Sequence, residues 1–199
     1  MWSLDFMSDS LQDGRKVRLF NVIEDFNRES LAIEADTSLP TLRVIRVLEK
    51  LINERGKPAN IRMDNGPEFI SHKLEEWCNN KQITLQFIQP GCPTQNAFIE
   101  RKNGSIRREL LNAYVFTSLS EVREFCEEWR IDYNTERPHK SLGYLPPVMF
   151  AEQWYKRSKY AQLLYPQMAT EKPSEIEGSH LVEKVFGKSN VQLKTLDLN

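Results

Sequence analysis

The sequence predicts an α/β fold built on a mixed five-stranded sheet flanked by helices. Two observations predict it. Three segments of alternating apolar residues follow one another before residue 36 with only short polar links, the mark of an antiparallel meander. After residue 41 the hydrophobic period switches to that of a helix, then back and forth between strand and helix, which calls for parallel strands joined through helical crossovers. At 199 residues with 40% hydrophobic side chains, the chain can bury a core of ordinary domain size and still carry an appendage.

Taken in order, Trp2, Leu4 and Phe6 alternate with Ser3, Asp5 and Met7, so the first strand has one apolar face and Asp5 points to the other. Aspartate is depleted inside strands, so Asp5 is either an exposed edge residue or there for a reason. Asp13-Gly14 leads into Leu19-Phe20-Asn21-Val22-Ile23, and Asn27-Arg28-Glu29-Ser30 into Leu31-Ala32-Ile33-Glu34-Ala35, the second and third strands. Leu42, Ile45, Leu48 and Ile52 then recur at helical spacing. Ser38 or Thr41 is the expected cap of that helix, and Gly56 followed by Pro58 ends it. Ile61 and Met63 make a short fourth strand that stops at Asp64.

Ile70, Leu74, Trp77 and Cys78 form the next helical stripe, and residues 84–88 the fifth strand. Pro90-Gly91-Cys92-Pro93 excludes regular structure. A helix capped by Thr94 or Asn96 should run to about Asn112, with Ile99, Ile106 and Leu110 within roughly 20° of one line at ~100° per residue. Ser118 and Glu121 have capping-box spacing before the stripe Leu119, Val122, Phe125, Trp129 and Tyr133, and this helix should end near Asn134. Arg137-Pro138-His139-Lys140 reads as a turn. Past Trp154 the chain is polar around Pro166, Pro173 and Gly178, with weak alternation at Val185-Phe186 and Val191-Gln192-Leu193. Residues 155–199 are expected to be a flexible tail with a loose hairpin.

Composition excludes several classes. A net charge of -1 argues against a uniformly basic nucleic-acid binder, so any DNA contact must come from local clusters. Cys78, Cys92 and Cys126 have neither zinc-ligand nor paired spacing, which suits free thiols in a reducing compartment. The chain has no apolar run of the ~18 residues needed to span a membrane, and its start is not a signal region, so a cytoplasmic protein is expected.

Three acids remain to be explained. Residue types alone allow Asp64-Asn65-Gly66 to be a plain tight turn, but it joins a strand to a helix, where ligands collect in α/β sheets. Thirty-five residues separate Asp64 from Glu100, which stands about 100° from the core line of its helix, and Arg107 returns to within roughly 20° of it. Acids on a strand, a strand end and the first turns of a helix can converge. Converging carboxylates repel unless a cation neutralises them, and an all-oxygen set suits a hard divalent metal such as Mg²⁺ or Mn²⁺.

The blocks Trp2-Ser3-Leu4-Asp5-Phe6, Asp64-Asn65-Gly66-Pro67-Glu68-Phe69, Asn96-Ala97-Phe98-Ile99-Glu100-Arg101-Lys102-Asn103-Gly104 and Trp129-Arg130-x-Asp132-Tyr133-Asn134-x-x-Arg137-Pro138-His139-x-Ser141-Leu142-Gly143 resemble the integrase core of bacterial insertion-sequence transposases, more narrowly the second-frame product of the IS-three group. The resemblance covers about residues 1–154. It implies a ribonuclease-H-like fold of the retroviral integrase catalytic-core type, in which Asp5, Asp64 and Glu100 hold two divalent metal ions, Mg or Mn. It implies DNA strand cleavage and strand transfer, with one metal activating water or a DNA 3′-hydroxyl and the other stabilising the leaving 3′-oxygen. Arg107, and less strongly Asn96, Arg101 and Lys102, would contact DNA. The partners implied are the element's ends and target DNA, in a homo-oligomer on DNA or with an upstream-frame DNA-binding subunit, and the setting implied is bacterial and nucleoid-associated. Such proteins usually carry a helical DNA-binding region before the first aspartate strand, so the chain is expected to be N-terminally truncated. Two further readings stay open: a catalytically idle remnant that only binds DNA or the full-length transposase, and a ribonuclease H acting on RNA–DNA hybrids.

Overall fold

The computed structural model describes residues 1–64, 66, 71–89 and 93–164. Strands β1 (Trp2–Ser10), β2 (Lys16–Glu24) and β3 (Ser30–Asp36) form the expected antiparallel meander. Strands β4 (Asn60–Met63) and β5 (Thr84–Phe87) add in parallel, giving a mixed five-stranded sheet of order β3-β2-β1-β4-β5. This order puts β1, and Asp5 with it, in the centre of the sheet, where an aspartate must be accounted for by what it faces.

Alternation along the strands divides the core in two. Trp2, Leu4, Phe20, Val22, Ile61 and Met63 meet Val44, Leu48 and Leu51 of helix α1 (Thr41–Arg55) and Leu74 and Cys78 of helix α2 (His72–Asn80). Met7, Val17 and Leu19, from the other parity, meet the second helical layer. That layer comprises helix α3 (Ala97–Ile106), a π-helical turn (Arg107–Leu111) that continues it, and helix α4 (Leu119–Thr135). The buried face of α1 is rotated from the expected stripe: Val44, Leu48 and Leu51 are buried while Leu42 is 59% exposed. With apolar residues at 42, 44, 45, 47, 48, 51 and 52, the sequence offers a band wider than the sheet can cover. Neither Ser38 nor Thr41 caps this helix; the carbonyl of Pro40 accepts from the Arg43 and Val44 amides instead.

Other boundaries follow their local chemistry. Gly56 ends α1 at φ 87°, a left-handed value that costs glycine nothing. The Ser118 hydroxyl accepts from the Glu121 amide at 3.2 Å, and the Glu121 carboxylate reaches back to the Thr117 amide at 2.7 Å, the reciprocal cap that their spacing predicts.

The chain divides into two compact units, Met1–Ser158 and Lys159–Asn199. The sequence pattern does not announce helix α5 (Pro147–Leu164); within the first unit its Phe150 and Trp154 rings lie 5.7 and 5.2 Å from Phe26. Of the second unit, residues 159–164 are described. The expected hairpin around Val185 and Val191, together with Asn65, Ile70 and the Pro90-Gly91-Cys92 loop, lies outside the described residues. Cys78 and Cys126 are free and buried, with burial pushing both thiols up to about 12. Among the described residues no helix is long and apolar enough to cross a membrane.

Candidate active site

Asp5 lies on the face of β1 that is turned toward α3. Its carboxylate accepts from the Phe6 amide at 2.8 Å and from the Asn103 side-chain amide of α3 at 2.7 Å. Burial pushes its carboxyl up to about 6, and the nearby carboxylates of Asp64 and Glu100 push the same way, against the two hydrogen bonds. Asp5 is therefore electrostatically coupled to both of the other acids selected from the sequence.

The route by which they meet is simple. The parallel register pairs Trp2 with Ile61 and Ser3 with Arg62, so Asp64, two residues past Arg62, leaves β4 at the level of the strand to which Asp5, two residues past Ser3, belongs. Asp64 follows directly on β4, where its side chain accepts from the Gly66 amide at 2.9 Å. It is thus a turn former as well as a neighbour of Asp5, and the two readings of this residue are compatible. Glu100 is exposed in the first turn of α3. Among the described residues no three acidic, histidine or cysteine side chains are drawn together closely enough to hold a metal ion. The donor set nevertheless has the chemistry of a hard-cation site: all oxygen, with a carboxyl held near neutrality by burial and by like charge. A divalent cation would remove that repulsion, with exposed Glu100 as the third carboxylate of the set.

The basic residues expected to meet DNA are divided among different environments. Arg107 lies on the Glu100 flank, where Asp9 of β1 holds it at 3.2 Å and the Ser8 carbonyl accepts from it at 2.6 Å. Arg101 is exposed. Lys102 is not on the surface. It is 1% exposed, and its ammonium donates to the carbonyls of Val22 at 3.2 Å and Ala32 at 3.4 Å. The register between β2 and β3 shifts at Val22/Ile23, and Lys102 supplies donors at that irregularity. Burial, with Arg130 nearby, pushes it down to about 7. Asn96 is also buried, its amide donating to the Leu4 carbonyl at 3.5 Å. Both therefore act on the sheet and not, as placed, on an external ligand.

Two residues at the site carry no obvious mark in the sequence. Asn103 orients Asp5, and Asn21, the cross-strand partner of Asp5, is fully buried with neither side-chain polar atom hydrogen-bonded among the described residues. Asn21 sits within an otherwise apolar strand segment, and its signal is parity: it shares the Asp5 face. The signal for Asn103 is its angle on the helix, about 50° from the core line and so at the margin of the core.

Two overlapping family models, both described as Integrase core domain, match residues 1–93 and 81–147. The chain carries an integrase core domain. Within the curated proteins it is 44% identical over 151 residues to the insertion element IS407 uncharacterized 31.7 kDa protein of Burkholderia multivorans, covering 76% of this chain and 54% of that protein. It is 42% identical over 153 residues to the insertion element IS476 uncharacterized 39.2 kDa protein of Xanthomonas euvesicatoria, covering 77% and 44%. The chain spans about half the length of these relatives. Among solved structures, the HTLV-2 integrase catalytic core domain, determined in complex with magnesium, superposes with a TM-score of 0.60 at 20% identity, over 75% of this chain and 93% of that one. The sheet order and helical layers are thus those of the ribonuclease-H-like, retroviral-integrase catalytic-core fold. In this integrase core, Asp5 on β1 is coupled electrostatically to Asp64, just past the end of β4, and to Glu100 on α3.

Proposed function

We propose that this integrase core cleaves and joins DNA strands in a metal-dependent manner, as the catalytic part, residues 1–154, of a bacterial insertion-element transposase of the IS-three group. The observation that carries the reading is Asp5: a central-strand carboxylate, coupled to Asp64 and Glu100, oriented by Asn103 and held at about 6. Such a group is costly to keep and has value only if something cationic uses it.

Asp5, Asp64 and Glu100 would hold two Mg²⁺ or Mn²⁺ ions, which supply activation of a water or 3′-hydroxyl nucleophile and stabilisation of the leaving 3′-oxygen at a phosphodiester. The protein's own work is positioning. Asn103 fixes the Asp5 carboxylate, and the Asp64 turn onto the Gly66 amide fixes the second. Arg107, anchored to Asp9, offers a guanidinium on the Glu100 flank for a backbone phosphate, a contact that positions without reading sequence. DNA is the partner in this reading, engaged by a homo-oligomer or with an upstream-frame DNA-binding subunit, and residues 155–199 are a divergent tail.

Labelled element ends incubated with Mn²⁺ should yield nicked and joined product, and Asp64→Asn should abolish it. Equal product from that variant refutes the assignment. A core that binds DNA but gains no stability on Mn²⁺ or Mg²⁺ titration is the idle relative instead.

A further inference from the structure

A pocket on the side of α3 away from Glu100 is lined by Arg28, Arg101, Arg137, His139, Tyr133 and Phe98. At ~100° per residue, the α3 residues that face it centre roughly 150° around the helix from Glu100, so it is distinct from the carboxylate site. Its volume is about 150 Å³, room for roughly five waters at about 30 Å³ each and well below the ~300 Å³ at which drug-sized ligand sites begin.

The pocket is cationic and incompletely satisfied. Arg28 lies in the β2–β3 turn at φ 61°, a left-handed conformation that an arginine adopts only under constraint. The constraint is local: the Glu24 amide donates to the Glu29 carbonyl at 2.9 Å across the turn, and the buried Asn27 side chain bonds Glu29. The result is a guanidinium seated on the Phe98 ring, 3.3 Å from its centroid, with a buried Nε that has no hydrogen-bond partner among the described residues. His139 Nε2 is likewise buried and without a partner among them, its ring edge-on to Tyr133 at 4.8 Å. Arg137 is held by Glu109 and lies 5.5 Å from the Tyr133 ring, and Arg101 engages no carboxylate among the described residues. Burial, then the positive charges of Arg137 and Arg28, disfavours a proton on His139; burial is also the main cost to the Arg28 guanidinium, which Asp25 and Tyr133 favour and Arg101 opposes. Such a pocket, too small for a nucleoside and lined by guanidinium and hydroxyl groups with no carboxylate among its described lining, suits a tetrahedral oxyanion.

We infer that this pocket seats one backbone phosphate of a DNA strand, with Arg101 and Arg28 as its charged contacts and His139 as a further hydrogen-bond partner. The inference rests on the DNA reading above. As a positioning contact remote from the carboxylates, it adds a fixed point at which DNA is gripped on the second flank of α3.

The test is duplex-DNA affinity of the whole chain as a function of KCl, in EDTA so that no metal chemistry enters. Arg101→Ala, an exposed change that leaves the core untouched, should lower the magnitude of the log–log salt slope by about 0.9, one phosphate contact. Arg101→Lys should largely restore it, and Lys50→Ala, which removes an equal charge on α1, should leave it unchanged. The imidazole resonances of His139 should shift when DNA is added to wild type and shift less in Arg101→Ala. An unchanged slope in Arg101→Ala, or an unmoved His139 in DNA-bound wild type, overturns the inference. Strand cleavage with an unchanged slope would sink the pocket alone, whereas a changed slope without Mn²⁺-dependent cleavage would sink the catalytic reading alone.

Discussion

Replacing Asp5 by asparagine should stabilise this protein at neutral pH. The carboxyl rises from an ordinary 3.8 to about 6 on folding, roughly two pH units at about 1.4 kcal/mol each, so the charged form costs the folded state about 3 kcal/mol. The hydrogen bonds set the deduction. In Asp5→Asn the new side-chain oxygen would keep the Phe6 amide as its donor. The bond from Asn103 would need the Asn103 amide to turn over, presenting its oxygen, which is buried and in the wild type has no partner among the described residues. The rise to about 6 is already net of these bonds to the charged form, so the deduction is the cost of turning the buried Asn103 amide, about 1 kcal/mol, leaving a net gain of about 2 kcal/mol. For a chain of this size that is a rise in Tm of roughly 4–8 °C.

The pH dependence supplies the refutation. Between 3.8 and about 6 the folded protein binds a proton at Asp5 that the unfolded chain does not, so wild-type stability increases as pH falls through this window. The advantage of Asp5→Asn should be full above about 6 and shrink as pH approaches 3.8. Urea titrations in EDTA, one above and one well inside that window, would measure it. A variant no more stable than wild type at the higher pH, or an advantage that persists undiminished at the lower one, refutes the electrostatic account of the site. Added Mn²⁺ should reverse the order by stabilising wild type alone, and cleavage should be lost in the stabilised variant, the trade of stability for activity expected where charge is held for function.

Three further outcomes follow from residues away from the carboxylates. Lys102, pushed down to about 7 from 10.5, leaves the unfolded chain holding one more proton than the folded one between those values, so stability should climb with pH across that window by up to about 1.4 kcal/mol per pH unit. Urea titrations of Lys102→Met should lack that climb. Ser118→Ala removes the acceptor for the Glu121 amide and should lower stability in a urea titration by about 1 kcal/mol with no change in m. Leu48→Ala empties a site that is 0% exposed beneath the sheet and should cost about 2–5 kcal/mol by the same titration.

What could be read from the sequence depended on how sharply a residue's period marked its side of an element. Trp2, Leu4 and Phe6 determined which face Asp5 would take, because a strand has only two. The helices left more latitude. On α3, Ile99 and Ile106 mark the core line, and Lys102 and Asn103 stand about 50° to either side of it. A lysine and an asparagine in those places look solvated by type, yet by angle they belong at the margins of the core. Lys102 is drawn to the β2–β3 bulge and Asn103 to Asp5. The wide apolar band of α1 hides its true contact line for a related reason. Helix α5 gives too little warning, since its apolar residues circle the axis without forming a stripe and the pair Pro146-Pro147 stands at its start.

The two faces of the sheet are unequal in a way that bears on the site. Toward α1 and α2 the buried side chains of β1, β2 and β4 are apolar, whereas toward α3 the same sheet presents Asp5 and Asn21, and the α3 segment answers with Asn96, Lys102 and Asn103. Each of these costs stability that an apolar residue of similar size would return. They also act together: Asn103 is held at Asp5 by a 2.7 Å bond, Asn96 joins the start of the helix to the Leu4 carbonyl, and Lys102 ties its middle to β2 and β3. Apolar packing would let α3 slide or rotate at little cost, since one methyl contact replaces another. Polar ties with defined donors and acceptors do not permit that, so they fix both the rotation and the height of α3 on the sheet. Glu100, Arg107 and the Arg101 side of the helix can then take fixed places on either side of it.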